Sequence, residues 1–198
     1  GFGKVFKAFN TKSLTTVAVK QISLANKDSK KIKEIQNEIQ LLKLLDHHRI
    51  VQYKDDIRKG DHLYIMMEYL ESGSLGALTR KFKIDEMGIC RYIAQVLEGL
   101  SILHGEGIIH RDIKGDNVLL TKDGDVKLAD FGVSSKLSRV QTNEICGTPF
   151  WMAPEIISLS GATYASDIWS VGCMVIELLS GKPPYFDLDR TTAFFKIV

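Results

Sequence analysis

The sequence predicts an α+β chain whose first third is mostly β-structure and whose remainder is mostly helical. Short runs rich in β-branched and aromatic residues, bounded by turn residues, recur as far as residue 69. Beyond that point apolar residues recur at steps of three and four, which is the period of a helix with one buried face. A change of character near residues 68–73 divides the two parts.

The first part reads as two pairs of strands around one helix. Residues 5–9 and 16–20 flank a turn and predict an antiparallel hairpin. Residues 50–57 and 63–69 flank a second turn at 59–61. The predicted helix between the pairs rests on apolar positions spaced by three or four, namely Ile32, Ile35, Ile39 and Leu42.

The second part reads as helices around a short hairpin. Apolar spacing predicts a helix over residues 86–104 and another over 167–179, which Gly181 would end as a C-cap. Residues 118–120 and 126–128 are short strand candidates joined by a turn.

Composition and charge are those of an ordinary globular domain. The 198 residues are 44% hydrophobic and 25% charged, and the net charge is +2. Without a basic block, neither nucleic acid nor an anionic membrane is expected as the main partner. The longest apolar run, residues 168–179, contains Ser170, Gly172 and Glu177, so it predicts a buried helix rather than a membrane span.

The cysteines point to a reducing compartment. Cys90, Cys146 and Cys173 are far apart, odd in number and lack C-x-x-C spacing. This pattern favours neither a disulfide framework nor a zinc site. We therefore expect a cytoplasmic location.

Residues 110–117 combine side chains that could catalyse a reaction. Asp112 can accept a proton, Lys114 offers a cation, and Asn117 offers an amide oxygen suited to a hard metal ion. Asp130 supplies a second carboxylate eighteen residues after Asp112. An acid, a cation and two oxygen ligands together suit phosphoryl transfer with magnesium.

The run from His110 to Asn117, followed by Asp130-Phe131-Gly132, resembles the catalytic loop and metal-binding motif of the eukaryotic protein kinases. The resemblance extends over the whole chain and implies the two-lobed kinase fold. Residues 1–70 would form the β-rich N-lobe and residues 71–198 the helical C-lobe. It also implies that both ends are truncated, so that the chain is a piece of a longer protein.

The resemblance assigns roles to the central residues. Asp112 would orient the substrate hydroxyl and accept its proton, and Lys114 would neutralise charge on the γ-phosphate. Asn117 and Asp130 would bind Mg²⁺. Structural roles would fall to His110 packed beneath Phe131, to Asp167 holding the backbone at His110 and Arg111, and to Glu155, whose arginine partner would lie beyond Val198.

The same resemblance implies an ATP site. Residues 1–5 look like the end of the glycine-rich loop, and residues 17–20 match the V-A-I-K strand, in which Lys20 would hold phosphates and pair with Glu38. Met67 would be the gatekeeper, and backbone groups of Glu68 and Leu70 would bind adenine. Taken alone, these residues also fit a glycine turn, an exposed strand lysine and a solvated glutamate. The full ATP-binding set is Gly1, Gly3, Val5, Ala18, Lys20, Glu38, Met67, Glu68, Leu70 and Leu119.

Residues 147–155 resemble the end of a kinase activation segment. Thr148 and Lys114 fit serine/threonine specificity, since tyrosine kinases usually differ at both places. Earlier in the same activation segment, which covers residues 133–152, Thr142 and next Ser138 are the expected phosphorylation sites, and the Arg111 side chain would contact the added phosphate. A polar loop without a control function is the alternative.

These observations predict a Mg²⁺- and ATP-dependent protein serine/threonine kinase acting on protein substrates, with other kinases expected among them. Residues 113–117 and 147–152 resemble the sterile (STE) group, which contains the MAP kinase kinase kinases. Residues 94–100 and 183–188 are similar to its septation and cytokinesis branch and the plant relatives of that branch. A non-catalytic pseudokinase scaffold is the first alternative. A small-molecule kinase is a second, which Thr148 and the intact 153–155 segment disfavour.

Overall fold

The computed structural model describes residues 3–25, 32, 35–36, 39–40, 43–130, 135–136, 145 and 147–198. The first lobe is built on a four-stranded antiparallel sheet of order β1-β2-β4-β3. The predicted hairpin is confirmed, and it pairs Val5 with Lys20 and Ala8 with Val17. The strands are β1 Lys4–Asn10, β2 Thr15–Ser23, β3 Tyr53–Lys59 and β4 His62–Glu68.

The third strand begins three residues later than residue 50, where it was expected. Ile50 forms a parallel bridge with Leu128, and the N–H of Val51 donates to the Leu128 carbonyl at 2.9 Å. The apolar run at 50–51 therefore pairs with the second lobe rather than with the sheet. Its burial, with 1% of Ile50 exposed, comes from the junction of the two lobes.

The predicted helix after β2 is present: every residue that the structure describes between positions 32 and 44 is helical. Ile35 and Ile39 are buried in one cluster with Ile22 and Ile65 of the sheet. Steps of four place both isoleucines on one helical face, which packs on the strands.

The described part of the second lobe contains five α-helices. The predicted helix at 86–104 spans Glu86–Gly105 and starts at Asp85, whose side chain accepts from the Gly88 N–H. The last long helix starts three residues before the predicted Asp167, because Ser166 Oγ accepts from the Thr163 N–H at 3.1 Å and closes the first turn there. The helices are α1 Leu75–Thr79, α2 Glu86–Gly105, α3 Pro154–Ile157, α4 Tyr164–Ser180 and α5 Arg190–Ile197.

Four short strands complete the second lobe. The predicted pair β6 (Val118–Leu120) and β7 (Val126–Leu128) forms an antiparallel hairpin. The sequence pattern did not show β5 (Ile108–Ile109) or β8 (Ser135–Lys136), which pair with each other, because two residues are too few for a period.

A single hydrophobic cluster runs through both lobes. It joins Ile65 of the sheet, Leu128 of β7, Leu100 of α2 and Met174 of α4. Burial of this apolar surface is the main force that holds the lobes together. Among the described residues, no helix is both long and apolar enough to cross a membrane.

Candidate active site

The loop between β5 and β6 carries the predicted catalytic residues, and a buried carboxylate fixes its backbone. Asp167, near the start of α4, is fully buried. Its Oδ2 accepts from the His110 N–H at 2.9 Å, and its Oδ1 accepts from the Arg111 N–H at 2.8 Å. This is the contact that the resemblance implied for Asp167. His104 Nε2, on α2, also lies 2.8 Å from Oδ2, a contact that the sequence did not predict.

His110 is completely buried at the start of this loop. Its Nδ1 accepts from the Asp112 N–H at 3.3 Å, which leaves Nε2 as the protonated nitrogen that donates to the Ala129 carbonyl at 3.1 Å. Burial lowers the pKa of His110, because a charged imidazole would lose its hydration there. His110 is therefore neutral at physiological pH and serves the structure.

Two non-glycine residues of the site have left-handed backbone. Arg111 has a φ of 69° and Asp130 a φ of 59°. Such conformations cost about 1–3 kcal/mol each and persist only where the surroundings impose them. For Arg111, the hydrogen bond from its own N–H to Asp167 supplies part of that restraint.

Asp112 faces a hydroxyl and an ammonium group. Thr148 Oγ1 donates to Asp112 Oδ1 at 2.5 Å, and Lys114 Nζ donates to Thr148 Oγ1 at 2.6 Å. Lys114 Nζ also lies 3.1 Å from Asp112 Oδ2. The side chain of Asp112 is 14% exposed, so these charge-assisted contacts are partly shielded from water.

Gly147 allows Thr148 to reach this position. Gly147 has a φ of 119°, and a Cβ atom there would lie 2.7 Å from the carbonyl oxygen of Arg111. Both the backbone angle and the close approach exclude side chains other than hydrogen.

Asn117 lies directly beside Asp112. Its Nδ2 donates to the Asp112 carbonyl at 2.7 Å and to Asp112 Oδ2 at 2.8 Å. Both amide hydrogens are then used, which leaves the amide oxygen as the atom available to a metal. The Ala129 N–H donates to the Asn117 carbonyl at 2.9 Å, so the β6–β7 hairpin brings Asp130 next to Asn117.

Lys20 of β2 reaches across the cleft to Asp130. Its Nζ lies 2.7 Å from Asp130 Oδ1, and its side chain is 9% exposed, whereas that of Asp130 is 45% exposed. The sequence predicted both residues as phosphate and metal groups but not this direct contact. The predicted partner of Lys20, Glu38, lies outside the described residues.

The donors in this cleft fit a magnesium ion. A carboxylate at Asp130 and an amide oxygen at Asn117 are hard oxygen ligands of the kind that Mg²⁺ prefers. Mg²⁺ commonly takes only one or two protein oxygens and completes its shell with water and phosphates. The two residues thus match the group that the resemblance implied.

The adenine side of the cleft is described in part. Ala18 pairs with Met67 and Val17 with Glu68, which places the predicted gatekeeper, Met67, beside β2, the strand that carries Lys20. Leu119 of β6 forms an antiparallel bridge with Ser74.

Gly3 and Val5, which were predicted for the ATP site, lie at the start of the first-lobe sheet. A Cβ atom on Gly3 would lie 2.2 Å from the carbonyl oxygen of Gln21, so Gly3 is required by the contact between β1 and β2. The Val5 side chain is mainly exposed. Five residues predicted for the site lie outside the described residues: Gly1, Glu38, Phe131, Ser138 and Thr142.

The side chain of Glu68 has a role that the sequence reasoning missed. It receives Lys127 Nζ of β7 at 2.7 and 2.9 Å and also accepts from the Gln52 N–H at 2.7 Å. The end of β4 is therefore tied by an ion pair to the β6–β7 hairpin, which precedes Asp130.

The polar residues that interrupt the apolar run of α4 also proved to be part of the site's support. Glu177 Oε2 accepts from the Gly115 N–H at 2.9 Å and from Trp151 Nε1 at 3.0 Å. Ser170 Oγ donates to the Trp151 carbonyl at 2.7 Å. Burial raises the pKa of Glu177. A polar side chain within a buried apolar helix was the signal that could have identified both residues.

Glu155, whose expected arginine partner would lie beyond the chain, accepts from Ser166 Oγ at 2.6 Å. Ser166 is the residue that closes the first turn of α4. Within the described part of the chain, Glu155 therefore joins the end of the activation segment to the start of α4.

The sequence of the chain matches known proteins over its whole length. The family model described as "Protein kinase domain" matches residues 1–198. The chain is 52% identical over all of its 198 residues to Cell division control protein 7 of Schizosaccharomyces pombe and to Cytokinesis protein sepH of Emericella nidulans. It is 50% identical over 202 aligned residues to MAP3K epsilon protein kinase 1 of Arabidopsis thaliana. All of this chain is covered in each case, but it spans only 19%, 15% and 15% of the length of these relatives.

Proposed function

This chain belongs to the protein kinase family, and on that premise we propose that it transfers the γ-phosphoryl group of ATP to serine or threonine hydroxyls of proteins. The observation that carries the proposal is the position of Asp112. Its carboxylate is held by Asn117 and faces the Thr148 hydroxyl and the Lys114 ammonium group.

Each side chain in this arrangement has a chemical role. Asp112 orients the acceptor hydroxyl and receives its proton as that oxygen bonds to the γ-phosphorus and the bond from the γ-phosphorus to ADP breaks. Lys114 stabilises the negative charge that develops on the transferred group. The Thr148 hydroxyl contacts both Asp112 and Lys114, and it places the activation segment beside the acceptor.

The opposite wall of the cleft binds the nucleotide. Lys20, whose side chain is nearly buried, would hold the α- and β-phosphates, and Asp130 and Asn117 would hold Mg²⁺. When bound, the metal neutralises phosphate charge and aligns the groups that react. The Lys20–Asp130 contact keeps both groups at the same place in the cleft.

We also propose a boundary between the lobes near residue 70, with residues 1–70 and 71–198 acting as two parts of one kinase domain. The Glu68–Lys127 ion pair lies close to that boundary and supports it.

The biological setting is part of the proposal. Two of the relatives are named for cell division or cytokinesis, and one is named as a MAP3K. We infer a cytoplasmic kinase in a septation or MAP-kinase-type cascade, with other kinases among its substrates. Thr142, and next Ser138, are its proposed control sites, because both lie in the segment before Thr148 and Arg111 stands beside Asp112.

Magnesium-dependent phosphate transfer from labelled ATP to a protein acceptor tests the proposed activity. Asp130→Asn should lower the rate by about 100-fold or more, because it removes a charge that the transition state needs. Asp123→Asn is the matched control, because Asp123 is an exposed aspartate in the β6–β7 turn. If wild type, Asp130→Asn and Asp123→Asn all gave the same background, the chain would be a non-catalytic scaffold.

A further inference from the structure

A second group of metal-ligand side chains lies away from the catalytic cleft, where the first lobe meets α2. One ligand atom from each of His47, His48 and Glu98 lies within 4.8 Å of the other two. His48 Nε2 is 2.9 Å from Glu98 Oε1, and the rings of His47 and His48 are 4.2 Å apart between centroids. We propose that these three side chains bind a divalent transition-metal ion, with Zn²⁺ as the best fit.

The ligand types select the metal. Two imidazoles and one carboxylate suit zinc and its neighbours in the first transition row, whereas Mg²⁺ and Ca²⁺ prefer oxygen alone. Two zinc–ligand bonds of about 2.0–2.1 Å at a tetrahedral angle place ligand atoms about 3.4 Å apart. The three ligand atoms now lie within 4.8 Å of one another, so the half-buried His47 and the exposed His48 and Glu98 must move closer together when an ion binds. Water would fill the fourth position.

The carboxylate is already held in place for this role. Arg49 Nε donates to Glu98 Oε2 at 2.8 Å, which fixes Glu98 on α2 and leaves Oε1 directed at His48. A hydrogen-bonded carboxylate is a common feature of metal sites. The guanidinium charge opposes a second cation, so affinity below that of a structural zinc site is expected.

The site is open to solvent and sits at a structural junction. The side chain of His48 is 62% exposed and that of Glu98 is 42% exposed, so an ion can enter. The backbone next to His48 is held in place, because the Leu128 N–H donates to the Arg49 carbonyl at 2.8 Å. A bound ion would therefore join the loop that follows the first-lobe helix to α2 and would stiffen the contact between the lobes.

The test is a titration of the protein with Zn²⁺ by calorimetry, together with Co²⁺ as a coloured substitute. One ion should bind, and the melting temperature should rise with Zn²⁺ until the site is full. His48→Gln and Glu98→Gln should each weaken binding at least 10-fold. His62→Gln is the control, because His62 lies on β4 outside the group.

Three results would overturn the proposal. The wild-type protein could fail to bind Zn²⁺. His48→Gln and Glu98→Gln could bind as tightly as wild type, which would leave only an ion pair at this place. The Co²⁺ complex could show thiolate charge-transfer bands that vanish in Cys90→Ser, which would place the ion on a cysteine. Melting curves in EDTA check that each variant is folded before binding is compared.

Discussion

The hydroxyl of Thr148 donates a 2.5 Å hydrogen bond to Oδ1 of Asp112, although 36 positions of chain separate the two residues. This contact connects the activation segment to the catalytic loop. It makes the position of Asp112 depend on whether the segment is in place.

Replacing Thr148 should therefore impair catalysis more than folding. Thr148→Val keeps the volume but removes a hydrogen bond from a neutral hydroxyl to the charged Asp112 carboxylate, and a hydrogen bond to a charged group is worth about 1.5–3 kcal/mol. We expect kcat/KM to fall by roughly 10- to 150-fold, since 1.4 kcal/mol corresponds to a factor of ten. Thr148→Ser keeps the hydroxyl and should retain most activity. Equal losses in the two variants would contradict this account, because Thr148→Ser keeps the hydroxyl that contacts Asp112.

Gly147→Ala tests the backbone that delivers Thr148. The new methyl group would meet the Arg111 carbonyl at 2.7 Å, and the residue would have to keep a φ of 119°. We expect activity to be lost while the core remains folded, because the strain falls on a loop. Gly124→Ala is a partial control, since Gly124 has φ 80° but nothing within 4 Å of its Cβ position. A fully active Gly147→Ala enzyme would contradict this account.

The Glu68–Lys127 pair can be tested as a link between lobes. Their side chains are 20% and 17% exposed, so solvent screens the pair in part. Lys127→Met should cost about 1–2 kcal/mol because it leaves Glu68 without its cation. That corresponds to a fall in melting temperature of roughly 2–8 °C. The double variant with Glu68→Gln should lose less than the sum of the two single changes, and simple additivity would argue against the link.

Glu177 predicts a pH dependence of stability. Burial raises its pKa above the ordinary value of 4.5, so the folded chain binds more protons than the unfolded chain between these two pKa values. The free energy of unfolding from this group therefore falls as pH rises through that window. The free energy of unfolding of wild type and of Glu177→Gln can be measured with denaturant at pH 4.5 and 7.5. Relative to wild type, Glu177→Gln should be more stable at pH 7.5 than at pH 4.5.

The glutamine at position 177 can still accept from Gly115 and Trp151, because both donate to one oxygen, Oε2. If the difference in free energy of unfolding between the two proteins were the same at both pH values, folding would not raise the pKa of Glu177.

Sequence reasoning reached the family, its septation branch and the main elements, because motif spacing and apolar period are local signals. It placed the backbone contacts of Asp167 through the resemblance. It missed Glu68–Lys127 and Glu177–Trp151, because each contact joins residues that are far apart in the sequence. The start of α4 was placed too late, because the first-turn contact of Thr163 and Ser166 precedes the apolar run that was used to find the helix.

The most direct test of the central claim is single-turnover transfer of labelled γ-phosphate, followed by identification of the labelled amino acid in the acceptor protein. The wild-type protein should label serine or threonine, and Asp112→Asn should slow transfer by about 10²- to 10⁴-fold at unchanged ATP affinity. Labelling of tyrosine, or transfer by Asp112→Asn at the wild-type rate, would contradict the account of this site.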